Sequence, residues 1–463
     1  MIVDGIVSPQ QEVLPKNQIK GRRKPGVKLL LSKVRDACGD QLAPFEGLWG
    51  YTQGLDHYPE TIFRFPLRTA SKSSESAMRN SKRILGKNEV SQFMSTYFDE
   101  ARISLLFLKK IKSIDFRILG QLDSGWSVAR QQSSDENTNS FSKSLNVQYT
   151  WKPNYGTQIS GKDAWLVATN EFDPKANLLP DNSRRVTKNA ECGIAALVSS
   201  TKDTDISNIG HPSCPKVISP RMFNRLPLPI QSDLPVHIHG TFSLSGDRQT
   251  IEVDECGTQS RGDIWNRYLS QEILPKLYLS FLESLVPHIG QRVFNFWPSK
   301  ESGANLLCTS FWEILPKSSQ RLFPKARLTL GFAENGTPEA LNIGQAVFDF
   351  LTPSESRTLA SLLLTVGVSL VRGIPEPVAK NLKALPNVTS VTGPMLRALL
   401  KSTKARTCLL QEMPRNPHIL PVLFDLVIPI NVEIRDLDGC HILPLTDGTL
   451  SKLKFHYNTC NLK

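Results

Sequence analysis

Residues 226–244 read LPLPIQSDLPVHIHGTFSL, and this stretch decides what kind of fold the chain can adopt. Pro227, Pro229 and Pro235 each fix their own φ and remove a backbone donor. They also push the preceding leucines, Leu226, Leu228 and Leu234, towards an extended conformation, so no helix fits here. After Pro235 the chain alternates, with Val236, Ile238, Gly240, Phe242 and Leu244 on one side and His237, His239, Thr241 and Ser243 on the other. That pattern predicts a strand with one buried face. Ser245-Gly246-Asp247 offers a turn, and Thr250 to Val253 can return as a partner strand. From Asp263 the period becomes helical: Ile264, Tyr268, Leu274, Leu277, Tyr278, Phe281, Leu282 and Leu285 recur at three- and four-residue spacing, with Pro275 as a kink or break between two helices.

The same residues carry a family resemblance. Leu228-Pro229, Leu234-Pro235-Val236-His237, Gly240 and Phe242, followed by Trp265-Asn266 and Leu269, resemble the signature of sacsin-like proteins, in which such a segment precedes a long helix. Near the carboxyl end, Leu443-Pro444-Leu445 with Asp447-Gly448-Thr449 resembles a hairpin that recurs in sacsin repeats; Cys440 and His441 depart from it, standing where the family has apolar residues. SPQQEVLP, PGVKL, DQLAPFEG, TIFRFPLR and LLFLKKI are similar to the run that in this family closes a gyrase, heat-shock and histidine-kinase type ATPase fold. The resemblance implies chaperone-related work. It also implies that the nucleotide-binding elements of that fold lie before the first residue, which predicts a non-catalytic chain with no cofactor. No G-x-x-x-x-G-K-[ST], G-x-G-x-x-G, G-x-S-x-G or His-Glu-x-x-His motif substitutes for them. The implied partners are protein clients or chaperone machinery, although the His-Pro-Asp tripeptide of a J domain is absent.

Working outward, the chain has 463 residues, 40% of them hydrophobic and 21% charged, the composition of a globular protein of about three domains. Its longest apolar run, Leu359 to Val371, is too short to span a bilayer and predicts a buried helix. The amino terminus has neither the basic nor the apolar region of a signal peptide, and eight scattered cysteines form no Cys-x-x-Cys pair. A reduced protein of the cytoplasm, with the nucleus as a second compartment, is the expectation. The net charge of +12 is concentrated between Lys16 and Arg35, where eight basic residues stand without an acidic one. Lys20, Arg22, Arg23 and Lys24 can form a nuclear-import signal or a phosphate contact, which keeps a nucleic-acid role open. Such runs are also common as plain solvated loops.

The expected organisation is α+β and multidomain, with mixed or antiparallel sheets, long amphipathic helices and a β-hairpin near the carboxyl terminus. The domains expected are 1–120 (ATPase-like remnant and following helix), 121–300 (α+β, with the proline-histidine signature) and 301–463 (repeat-like). Within the first, Val27 to Leu31 reads as a strand, Asp40 to Phe45 leads into a loop, Thr61 to Arg68 reads as a strand and Ser71 to Lys82 as a linker or mobile loop. Glu89 to Ile111 reads as a helix with Val90, Phe93, Met94, Tyr97, Phe98, Ala101, Leu105 and Leu108 on one face, and Ile114 to Leu119 as a strand. Ser144 to Trp151, Ala164 to Thr169 and Cys192 to Val198 read as strands, separated by polar loops at Gln131 to Ser144 and Asp173 to Asn189. Ala346 to Leu351, Pro377 to Leu385 and Pro394 to Lys401 read as mainly helical. His237 and His239 share a strand face and can hold a metal or an anion, but no third ligand has diagnostic spacing, so a structural pair is expected and no metal site is assigned. Asp263 with Glu272 or Glu283 is read as the wet side of a helix rather than an acid/base pair, and Tyr278 and Phe281 as core.

Overall fold

The computed structural model describes residues 31–48, 50–52, 54, 55, 58, 62, 86–117, 125–132, 142–152, 158–173, 190–202, 219–253, 260–299, 305–327, 339–429 and 431–454. The chain divides into two compact units, 1–94 and 95–463. In the first, helix α1 (Leu31–Leu42) leads into a 3-10 turn, Ala43–Phe45. Phe45, Tyr51, Tyr58 and Ile62 share a small core, Tyr51 meeting Phe45 and Tyr58 edge-on at 6.3 and 5.7 Å. Leu31, expected as the end of a strand, is thus corrected to the first residue of a helix, and Asp40 to Leu42 close that helix. The rest of that strand, the strand from Thr61 apart from Ile62, and the linker at Ser71 lie outside the described residues.

Helix α2 (Lys87–Ser104) crosses the division, and the second unit is built on an eight-stranded sheet. Strands β1 (Ser113–Arg117), β2 (Gly125–Gln132), β3 (Ser142–Lys152), β4 (Ile159–Phe172) and β5 (Ala190–Lys202) form an antiparallel meander. Then β8 (His237–Gly240) pairs antiparallel with β5 and parallel with β6 (Arg221–Asn224), and β7 (Leu226–Gln231) hairpins back onto β6 as the outer strand. The prolines at 227 and 229 therefore occupy an edge, where the donors they lack are not needed by a neighbour. The sheet is mixed and largely antiparallel, in an α+β arrangement.

Both faces of the central strands are covered. On one, Trp165, Val167, Ala195 and Phe223 pack with Phe98, Ala101, Leu105, Leu106 and Phe107. On the other, Leu166, Ala168, Ile194, Ala196 and Ile238 pack with Leu277, Tyr278, Phe281 and Leu285. The one-sided strand expected at 236–244 is corrected accordingly: all four residues of β8 are buried. The helical pattern of α2 ends at Ser104 rather than Ile111, and Phe93, counted on its apolar face, is exposed. Gln131 and Gln132 belong to β2 and Ser142 to Ser144 to β3, so the polar loop expected there is shorter; residues 133–141 lie outside the described ones.

Helix α3 (Arg261–Tyr268), a π-helical turn (Leu269–Ile273) and helix α4 (Leu274–Ile289) follow, so the break foreseen at Pro275 is a π-segment that delivers the proline to the first turn of α4. Helix α5 (Leu306–Ile314) packs on α4 through Phe311, whose ring meets Tyr278 at 5.4 Å. Beyond it β9 (Phe323–Pro324) pairs with β10 (Ala340–Leu341). A small parallel sheet then forms from β11 (Val347–Phe348), β12 (Leu370–Val371) and β13 (Thr389–Ser390), connected through α6 (Pro353–Val366) and α7 (Glu376–Lys383). Of Ala346 to Leu351, expected as mainly helical, Val347 and Phe348 are therefore strand and none is helix. The apolar run from Leu359 also splits: Gly367, at φ 101°, ends α6 and Leu370 starts β12. Helices α8 (Gly393–Leu400), α9 (Thr403–Glu412) and α10 (Ile419–Val427) precede the expected hairpin, β14 (His441–Pro444) and β15 (Leu450–Lys452). One core runs from Leu166 to Leu382, and a second gathers Leu359, Leu396, Leu409, Leu423, Cys440 and Ile442.

Candidate functional site

The face of β8 that carries the histidines is roofed by the segment after α2. Arg130 of β2 holds that roof, its guanidinium donating to the carbonyls of Leu105 (3.3 Å), Lys109 (2.7 Å) and Leu108. Lys109 closes the far end on Glu171 and, at 3.1 Å, on Glu191. Phe107 lies 5.0 Å from the rings of both Phe223 and His239. Gly193 leaves the space for it, since a Cβ there would fall 2.7 Å from the Phe107 ring.

Under the roof the two imidazoles act as hooks for the β6–β7 hairpin. The Arg221 N–H donates to Nδ1 of His237 at 3.0 Å, and the Arg225 N–H to Nδ1 of His239 at 3.2 Å. Arg225 is the turn residue and has a positive φ of 65°, a conformation that costs a non-glycine residue about 1 kcal/mol or more and needs such support. His237 also packs on Trp165 at 5.3 Å and on Phe223 at 5.4 Å. Burial, reinforced by Arg221 for His237, lowers both imidazole pKa values to about 4, so both are neutral near pH 7. Nε2 of His239 has no partner among the described residues, and no group of three metal-ligating side chains occurs among them. What the pair does in the fold is hold the β6–β7 hairpin through both Nδ1 atoms.

The remaining signature residues serve the next joint. Trp265 Nε1 donates to the Thr241 carbonyl at 2.8 Å. Asn266 accepts from the Ser243 N–H at 2.8 Å and donates to the carbonyls of Ser243 and Glu252, each at 2.9 Å. Those two side chains pin the hairpin at 243–252 to α3. Gly240 is required because a Cβ would meet the Phe242 ring at 2.8 Å. Leu234, Val236 and Phe242 are buried in the large core, and Leu228 is buried too, while Pro229 is exposed on the edge strand.

The carboxylates weighed as an acid/base pair are each engaged elsewhere. Asp263, expected on the wet side, is buried and accepts from Arg267 at 2.8 Å; Glu272 pairs with Lys276 at 3.3 Å, and Glu283 accepts the Arg321 N–H at 3.0 Å. Tyr278 and Phe281 are core. Lys20, Arg22, Arg23 and Lys24 lie outside the described residues.

At the carboxyl end the signature turns outward. Leu443, Pro444 and Leu445 are exposed, and the turn is closed by Asp447, which accepts the N–H and hydroxyl of Thr449 at 2.8 and 2.7 Å, with Gly448 at φ 81°. Cys440 and His441, the departures from the pattern, are buried. Charged groups that the sequence reading did not single out do the rest of the pinning. Arg102 of α2 reaches Asp163 of β4 at 2.6 Å beneath Tyr149, and Arg372 meets Asp349 at 3.2 Å. Only a charged residue within an apolar run, such as Asp163 beside Trp165, hinted at them.

These arrangements define a class: an α+β protein whose histidine, tryptophan, asparagine and glycine signature fastens one element to the next. Over part of its length the chain is similar to sacsin proteins. Residues 3–130 match the family model described as the Sacsin domain. A stretch of 288 residues is 25% identical to sacsin of Homo sapiens, covering 54% of this chain and 6% of that protein. No solved structure matches the chain.

Proposed function

We propose that the chain is a non-catalytic, sacsin-like protein segment that works through protein–protein contacts in a chaperone-like or scaffold role. The observation that carries this reading is the division of the signature. Its amino-terminal part is used up inside the fold apart from Leu226 and Pro229 on the edge strand, whereas Leu443 and Leu445, each 44% exposed, and Ile434, 59% exposed, leave apolar side chains on and near the last hairpin. Exposed aliphatic groups of this kind bind apolar segments of other chains. Cys192, Cys408 and Cys440 are buried thiols that form no disulfide among the described residues, which suits a reducing compartment such as the cytoplasm. Among the described residues no helix is long and apolar enough to cross a membrane.

The test is suppression of aggregation of reduced insulin by the full chain, with and without Leu443→Ser and Leu445→Ser together. The expected result is roughly threefold weaker suppression by the variant at unchanged melting temperature, as for loss of a contact hot spot. Equal suppression overturns the reading. Calorimetry with magnesium and ATP tests the non-catalytic half, and stoichiometric capture would contradict it. A salt titration addresses the alternative through the basic run at Lys16 to Arg35: nucleic-acid binding weakens steeply as salt rises, while apolar client binding holds or strengthens.

A further inference from the structure

His441 opens β14 with 3% of its surface exposed, and neither of its ring nitrogens has a partner among the described residues. A neutral imidazole carries one donor and one acceptor, and burying both unpaired is costly, so the position calls for something to bond there. The ladder explains why it is inside. A bulge between His441 and Leu443 disturbs the alternation, and His441 and Ile442 are consecutive buried residues. Cys440 is fixed alongside, its Sγ 3.6 Å from the Arg397 carbonyl of α8.

The surroundings are basic. Lys452 is the cross-strand partner of His441 in the antiparallel β14–β15 pair, which places both side chains on one face of the hairpin. Arg406 comes from α9, is half-buried, and its Nε is also buried and unpaired. After burial itself, these two cations are what oppose a charge on the His441 ring, so both lie within electrostatic reach of it. Arg397 and Lys401 from α8 and its end, together with Asp438, act on the neighbouring Cys440. Asp447, in the hairpin turn, feels Arg406 but spends its carboxylate on Thr449. Neither Arg406 nor Lys452 has an ion-pair partner among the described residues. A buried imidazole with both nitrogens unpartnered, a guanidinium with a buried unpartnered Nε and the exposed cross-strand Lys452 thus come together at the last hairpin without an ion-pair partner among the described residues.

We propose that His441, Arg406 and Lys452 form a binding site for a small phosphate-type oxyanion, held between the last hairpin and α9. The anion supplies the acceptors that the imidazole and guanidinium lack and cancels the repulsion among the three groups. Its arrival favours the protonated ring, so the ring takes up a proton as the anion binds, and affinity rises as the pH falls through the imidazole range. This inference rests on different residues from the contact surface and stands or falls independently of it.

The experiment follows the imidazole resonances of the full chain by NMR while inorganic phosphate is added at constant ionic strength, with sodium chloride as the matched control. The His441 signals are assigned from His441→Gln. Saturable shifts that grow as the pH is lowered, and that weaken about tenfold or more in Arg406→Gln or Lys452→Gln with the fold intact, are the expected result. Shifts no larger than those in sodium chloride, or saturation that is the same in both charge variants, overturn the proposal and leave the ring to a water molecule.

Discussion

Protonating His237 or His239 would put a charge inside the sheet and remove the acceptor that holds the Arg221 or Arg225 N–H. Both folded-state pKa values are depressed, from 6.5 to about 4, with burial as the leading cause. The sign follows from linkage: as the pH falls below the ordinary imidazole value, the unfolded chain takes up protons that the folded chain refuses. Stability is therefore constant above about pH 7, is lost between about pH 6.5 and 4, and changes no further from this source below that, with a loss on the order of 3 kcal/mol per imidazole. Urea unfolding at pH 7.5 and 4.5 measures it, and His239→Gln should flatten the slope relative to the parent chain. An equally steep slope in the variant would rule this ring out as a cause. Sequence alone placed both histidines correctly on one strand face. It could not say whether that face was wet or covered, because the cover comes from Leu105 to Lys109, far away in the chain.

Helix α2 is fastened to the sheet by one buried charge pair. Arg102 donates from Nε and Nη2 to Oδ2 of Asp163 at 2.9 and 2.6 Å, while Oδ1 accepts from Ser200 at 2.6 Å. Removing only the arginine leaves a carboxylate stranded in the sheet, so Arg102→Met should cost about 3–5 kcal/mol, and adding Asp163→Asn should recover much of it. A double-mutant cycle on urea midpoints reads the coupling, and simple additivity would refute the pairing as a stability determinant. The strands at β3, β4 and β5 were legible because their β-branched and aromatic runs meet polar boundaries on either side. The end of α2 was not, since Leu105 and Leu108 continue the helical spacing. What stops the helix is the Arg130 guanidinium capturing carbonyls at 105, 108 and 109, a long-range bond with no local trace.

Across the whole second unit, the sheet, the α3–α5 helices and the first strands of the carboxyl-terminal part share one core, in which Phe348 meets Phe323 at 4.9 Å. Phe348→Ala should cost about 3–5 kcal/mol. Because the core is continuous, hydrogen exchange is expected to accelerate in β5 and β8 together with β11; acceleration confined to the residues after 300 would show that two cores melt separately. Composition, proline placement and hydrophobic period by themselves determined the α+β class, the extended LPLP lead, the long helix with its break near Pro275, the Asp447-Gly448 hairpin and the sacsin-like signature. All of these are local, written in φ restrictions and in the repeat of apolar side chains along a few turns. Only the tertiary structure decided that the histidine face is roofed, that Asp263 is buried, that Val347 and Phe348 are strand and that the apolar run from Leu359 divides at Gly367. Burial is a property of what folds over a segment, and that partner is supplied by residues tens of positions away.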